Sequence, residues 1–155
     1  NGLAIGAVVG REEMVESLRA NSISTFGGNP LATTGALANL DFIEEAHLQE
    51  NAYKVGSFLM RGLKDLEDRY DVVGEVRGKG LMIGVEMVTD GASKTPDPKA
   101  ANRAMEVARE RGLLVGRGGL YGNVLRLSPP LTITEEDAAR AIETLDVAFG
   151  EVQRG

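Results

Sequence analysis

A change of period at Val72 constrains this chain more than any other feature. Before it, Leu48, Ala52, Val55, Leu59, Leu63, Leu66 and Tyr70 recur three or four residues apart. That spacing predicts an amphipathic helix burying one stripe. After it, Val72, Val73 and Val76 read as a strand and Gly78-Lys79-Gly80 as a turn. Leu81 to Val88 then alternates, with Leu81, Ile83, Val85 and Met87 on one face and Met82, Gly84, Glu86 and Val88 on the other. The pattern predicts a hairpin with one buried face.

The remaining C-terminal elements extend this layer. Thr89 to Pro98 reads as a loop, and Asp97 caps a helix with Pro98 at its first position. Ala101, Ala104, Met105 and Ala108 form its inner stripe, and Gly112 ends it. Leu113-Leu114-Val115 reads as a strand, Gly116 to Asn123 as a glycine-rich loop, and Val124 to Leu127 as a strand stopped by Ser128-Pro129-Pro130. Thr134-Glu135-Glu136-Asp137 resembles a capping box and opens a helix burying Ala138, Ile142, Leu145 and Phe149. The order β-β-α-β-β-α predicts a small α+β layer with its helices on one face.

Upstream, Leu3 to Val9 is an almost continuous apolar run, the pattern of a strand covered on both faces. Arg11 to Leu18 reads as a short helix and Asn21 to Gly28 as a loop. A helix then starts at Pro30 with inner positions Ala32, Gly35, Ala36, Ala38 and Asn39, small enough for another backbone to come close, followed by Phe42 and Ile43. Glu44 to Leu48 either bends this helix or links it to the next. The chain opens on a core-type strand without a methionine, which suggests a piece of a longer polypeptide.

Composition excludes several classes. A net charge of −6 and the absence of any Lys/Arg run argue against a duplex or an anionic membrane as partner. With no cysteine there is no disulfide, thiolate metal site or thiol chemistry, which fits a reducing, cytoplasmic setting. No apolar run approaches the ~20 residues that span a bilayer. The acid pairs Glu12/Glu13, Glu44/Glu45 and Glu135/Glu136 are adjacent on helices and diverge by about 100°, so they read as solvated surface. His47 is the only histidine and has no partner at metal-ligand spacing. Neither Gly78-Lys79-Gly80 nor Gly116 to Gly122 leads into a helix, so neither is a dinucleotide fingerprint.

Two places remain. At Ser24-Thr25-Phe26-Gly27-Gly28-Asn29-Pro30, two hydroxyls and two glycines precede an Asn cap and a Pro at the first helical position. This is either an ordinary capped helix start or an anion site built from N–H groups and hydroxyls. Arg126 sits inside the apolar strand Val124-Leu125-Arg126-Leu127. It is either an exposed edge-strand arginine or a fork that meets a carboxylate.

Three blocks in order carry a resemblance: the Ser24–Pro30 junction, Val76-Arg77-Gly78-Lys79-Gly80-Leu81-Met82-Ile83-Gly84-Val85-Glu86, and Leu125-Arg126-Leu127-Ser128-Pro129-Pro130-Leu131. Together they are similar to class III aminotransferases, the pyridoxal-phosphate family that includes acetylornithine, ornithine, 4-aminobutyrate and alanine–glyoxylate transaminases. The likeness runs over nearly the whole chain. The loop from Gly116 to Asn123 most resembles the alanine–glyoxylate and 4-aminobutyrate branches.

The resemblance implies a fold that is part α/β and part α+β: the end of a large cofactor domain (1–30), connecting helices (31–70) and the C-terminal small domain (71–155) of a fold-type I enzyme. It implies pyridoxal 5'-phosphate as cofactor, an amino acid or amine donor and a 2-oxo acid acceptor. It implies a homodimer in which Thr25, with Ser24 beside it, reaches the cofactor phosphate of the neighbouring subunit. Arg126 matches the arginine that binds the substrate carboxylate. The family's cofactor-bearing lysine lies upstream of a segment like Asn1-Gly2-Leu3. None of Lys54, Lys64, Lys79, Lys94 or Lys99 sits in a matching context, so the chain is expected to hold no catalytic residue and to be inactive alone. The competing reading is a free-standing α+β module for small-molecule binding or dimerisation.

Overall fold

A computed structural model describes residues 3–21 and 23–155. It divides into two compact units, one up to His47 and one from Leu48 to Gly155. The division falls inside the span 31–70 read as connecting helices.

The first unit holds α1 (Glu12–Val15) and α2 (Pro30–Glu45). Leu3 to Val9 forms no strand and is exposed. A strand needs a neighbour to take its N–H and C=O groups, and no strand is assigned among the described residues up to His47. Helix α1 is shorter than the apolar and acidic pattern predicted. α2 starts as expected: the Asn29 side chain accepts from the Ala32 N–H at 2.9 Å, with Pro30 at the first position. Only Ala32 is buried along α2. A Cβ at Gly35 would lie 2.7 Å from the Leu3 Cδ1, so the small-residue stretch accepts a leucine side chain there. The helix ends at Ala46, and His47 has φ +50. The Glu44–Leu48 segment is therefore a break between two helices.

The second unit begins with α3 (Leu48–Arg69), whose stripe Leu48, Val55, Leu59, Leu63 and Leu66 is buried as the spacing predicts. β1 (Val73–Lys79) and β2 (Met82–Met87) form the hairpin. Lys79 pairs with Met82, so the turn is Gly80–Leu81, one residue later than read. Gly80 supplies φ +55 at the first turn position, where a mirror-image turn matches the twist of the strands. The turn lies hard against α3: a Cβ at Gly56 would sit 2.3 Å from the Gly80 carbonyl.

α4 (Pro98–Glu110) is capped by Asp97, which accepts from the Lys99 and Ala100 N–H groups at 2.9 and 3.0 Å. β3 is Gly116–Gly118 and β4 is Val124–Leu127. The apolar Leu113-Leu114-Val115 is not the strand. The register comes from the turn before β4, which pairs Gly118 with Val124 and Gly116 with Arg126, so pairing overrides side-chain propensity. α5 (Glu135–Arg154) starts at Thr134, whose hydroxyl oxygen accepts from the Asp137 N–H at 3.1 Å. The reciprocal arm differs from a standard box: Asp137 turns to accept the Thr134 hydroxyl at 2.7 Å.

The sheet is antiparallel, in the order β1-β2-β4-β3. Helices α3 and α4 pack on one face of the sheet, and α5 packs against both helices. Leu59, Leu63, Val76, Val85, Leu125, Ala104, Leu145 and Phe149 meet in the core there, with Tyr70 edge-on to Phe149 at 6.2 Å. The opposite face carries Met82, which is 75% exposed, and the side chains of Arg77 and Arg126. This is the α+β layer expected, with one face left open.

Candidate functional site

The alternation that builds the core also builds this open face. In β4, Leu125 and Leu127 point inward and are buried, so Arg126 between them must point outward. β4 lies between β2 and β3, which removes the edge-strand reading of Arg126. Arg126 pairs with Gly84 on one side and Gly116 on the other. Gly84 in turn pairs with Arg77, so the row across the sheet reads Arg77–Gly84–Arg126–Gly116. Each arginine thus has a bare position beside it.

The stem of Arg126 leans over β3. A Cβ at Gly118 would fall 2.7 Å from its Cδ, so only glycine leaves that path open. Arg126 borders two openings. One, of about 560 Å³, lies between Leu113–Gly116, Leu127–Pro130 and the start of α5; the other, of about 240 Å³, lies over Gly84 beside Arg77 and Met82. Among the described residues no carboxylate forms an ion pair with Arg126.

Arg77 is in the opposite condition. Its Nη1 donates to Glu75 at 2.6 Å and to Glu86 at 2.7 Å. Glu86 also takes a long contact of 3.4 Å from the Asn123 amide, which donates to the Met87 carbonyl at 2.8 Å. Asn123 is 1% exposed, and its own carbonyl accepts from the Met87 N–H, so it is fixed at the turn before β4. The hydrogen bond from Arg77 holds the Glu86 carboxyl below the usual carboxylate range, against the effect of partial burial. Sequence reasoning singled out Arg126 but missed Arg77, Glu86 and Asn123. Glu86 opposite Glu75 across a hairpin was the available signal, because facing acids require a cation between them.

Ser24 and Thr25 lie in the first unit and Arg126 in the second, and each is described within its own unit. At the junction the Gly27 N–H donates to the Ser24 carbonyl at 3.2 Å. Gly27 has to be bare: a Cβ there would meet the Ser24 Cβ at 2.8 Å and its Oγ at 2.9 Å. Gly28, at φ +68, turns the chain into the Asn29 cap. Ser24 and Thr25 are exposed. No acidic side chain occurs from Ile23 to Pro30. Two available hydroxyls near a helix N-terminus, with no carboxylate among them, fit the edge of a phosphate site.

The five lysines all lie in the second unit and all are exposed. Lys54 pairs with Glu135 at 3.1 Å and Lys64 with Glu67 at 2.7 Å. None has the desolvated setting that activates a lysine nucleophile. Among the described residues no cluster of His, Cys, Asp or Glu could hold a metal ion, and no helix is long and apolar enough to cross a membrane.

The order of these features along the chain is the order the resemblance required. The family model described as aminotransferase class-III matches residues 1–149, and the chain belongs to that family. Its relatives include alanine–glyoxylate aminotransferase 2 homolog 2 of Arabidopsis thaliana, 43% identical over 98% of this chain and 32% of that protein. An alanine/serine racemase of Pyrococcus horikoshii is 38% identical over the whole chain and 32% of its own length. Among solved structures, an aminotransferase of Bacillus anthracis is 38% identical with a TM-score of 0.82, over 90% of this chain and 34% of that one. The chain thus spans about a third of the length of these relatives.

Proposed function

We propose that this chain is the carboxylate-binding and phosphate-clamping part of a pyridoxal-phosphate-dependent aminotransferase, which moves an amino group between an amino acid or amine and a 2-oxo acid. The observation that carries this reading is Arg126, an arginine held unpaired between two glycine positions on an open sheet face. Its fork binds a substrate carboxylate in two parallel hydrogen bonds, which fixes the reacting carbon relative to the rest of the site. Pyridoxal phosphate, when bound, supplies the electron sink. Ser24 and Thr25 would hold its phosphate through their hydroxyls, with Thr25 serving the neighbouring subunit of a homodimer. The lysine that carries the cofactor lies outside this chain, which is inactive by itself. A cytoplasmic location belongs to the same proposal and is supported by the absence of cysteine.

The test is amino transfer by the full-length protein, followed with an amino acid donor and a 2-oxo acid acceptor. Arg126→Gln should raise KM for a carboxylate substrate by roughly 100-fold, the loss of a charged, bidentate contact. Thr25→Ala should weaken cofactor binding, read as pyridoxal phosphate lost on dialysis. The racemase among the relatives favours a second reading, and the acceptor separates the two. Inversion of an amino acid's configuration with no 2-oxo acid present would replace transamination by racemisation.

A further inference from the structure

Glu86 is one diagonal step from Arg126 across the β2–β4 ladder: Gly84 faces Arg126 and Glu86 faces Val124. Diagonal neighbours on one face lie about 7–8 Å apart, within reach of long side chains. A free glutamate there would take the guanidinium that the proposed substrate carboxylate needs. Yet Arg126 is unpaired, and Glu86 accepts from Arg77 on β1 at 2.7 Å and, through its other oxygen, from Asn123 beside Val124 at 3.4 Å. Arg77 also satisfies Glu75 at 2.6 Å. Two acids and one arginine close a set on β1 and β2, and the second arginine stays outside it.

We infer that Arg77 is a positioning residue for carboxylate recognition: by occupying Glu86, it keeps the Arg126 guanidinium free for the substrate. This rests on the role proposed for Arg126. Asn123 assists from the β4 side, because its buried amide, anchored on the Met87 carbonyl, lies 3.4 Å from the Glu86 oxygen that Arg77 does not take. The identity of the cation on Glu86 matters less than its presence. A lysine at position 77 would still neutralise Glu86, whereas a neutral side chain would release it to Arg126.

The test uses the full-length protein and four variants. Arg77→Gln should raise KM for a carboxylate-bearing amino acid by five- to twentyfold with kcat within about twofold of the parent, because the chemistry is untouched and only the free fraction of Arg126 falls. Arg77→Lys should stay within about threefold in KM. Arg77→Gln combined with Glu86→Gln should return KM to near the parent value, since the carboxylate one diagonal step from Arg126 is gone and Glu75 lies a strand farther away on β1. A merely structural Arg77 predicts the reverse, with the double variant no better than the single one. In a crystal structure of the Arg77→Gln protein, the Arg126 guanidinium should be within hydrogen-bond distance of Glu86. An unchanged KM in Arg77→Gln, or a raised KM that the second substitution fails to rescue, overturns the inference. Arg126→Gln separates the two readings: if it too leaves KM unchanged, the carboxylate role falls and this inference with it. If it raises KM while Arg77→Gln does not, only the inference falls.

Discussion

The two units spend their apolar residues differently. From Leu48 onward, leucines and valines at helical and strand spacing converge on one core, and Leu63, Leu145 and Phe149 reach 0% exposure. Up to His47, most large apolar side chains remain on the surface, and Ile43 is only half-buried. Val9 is 98% exposed, and Leu31, Leu37 and Leu40 line α2 without burial. Each unit contains a helix with a side-chain cap, α2 at Asn29 in the first and α4 and α5 at Asp97 and Thr134 in the second, so capping does not separate them. What differs is whether the partner surface lies within the unit. Capping and propensity shape a helix, whereas burial of a stripe decides whether it contributes to a core.

The sharpest way to break this comparison is the same substitution in each unit. Leu63→Ala removes a fully buried side chain and should destabilise this chain by about 3 kcal/mol, seen in the denaturant midpoint. Leu40→Ala, at a position 59% exposed, should fall within about 0.5 kcal/mol of zero. Equal losses at the two sites would refute the contrast. Next in size is Gly56→Ala. The new Cβ would collide with the Gly80 backbone, and separating α3 from the hairpin should cost about 2 kcal/mol.

Capping gives a smaller and more discriminating pair. Thr134→Ala removes the acceptor for the Asp137 N–H and should lower the stability of the second unit by about 1 kcal/mol. Asn29→Ala removes the equivalent bond at Ala32 but should leave the main thermal transition in place, changing only helical signal from α2. The smallest effect is acid-dependent. The Tyr70 hydroxyl, followed by Arg69, holds the Asp146 carboxyl below its usual range, with burial opposing. A depressed folded pKa adds stability above the unfolded value of about 3.9, and that stability is lost as pH falls through the folded pKa. Asp146 is partly exposed, so the contribution should be only about 0.5 kcal/mol after screening. Asp146→Asn should flatten the stability profile below pH ~4 by this amount and leave the profile of the first unit's helices unchanged.

The same contrast explains what was legible in the sequence. The second unit could be read because period reports burial, and its stripes are buried by residues of the same unit: Leu59 by α3's own spacing, Val85 by alternation, Leu145 by α5. The strand expected from Leu3 to Val9 failed because a run of apolar residues signals demand for cover and does not say who supplies it. β3 was missed for a different reason. Gly116-Arg117-Gly118 has no strand propensity, and its pairing is imposed by the turn from Gly119 to Asn123. Arg126 stood out in sequence as a charge among apolar neighbours. Arg77 did not, since it stands directly before Gly78-Lys79-Gly80, a stretch that reads as a turn. Only the register shows that it and Arg126 belong to one row.

The row Arg77–Gly84–Arg126–Gly116 has a consequence for how such a surface can change over generations. Because β-strands alternate, every residue in that row is separated by the thickness of the sheet from the packed side that sets the melting temperature. The two glycine positions are vacancies in the lining rather than in the foundations. A lineage can fill Gly116, where a Cβ would meet the Arg126 Cβ at 3.7 Å, or Gly84 if Val124 at 3.2 Å gives way, and so reshape the space around Arg126 while leaving the packed side as it is. The lining of this face and the stability of the core then answer to different substitutions, so one scaffold is free to explore many linings.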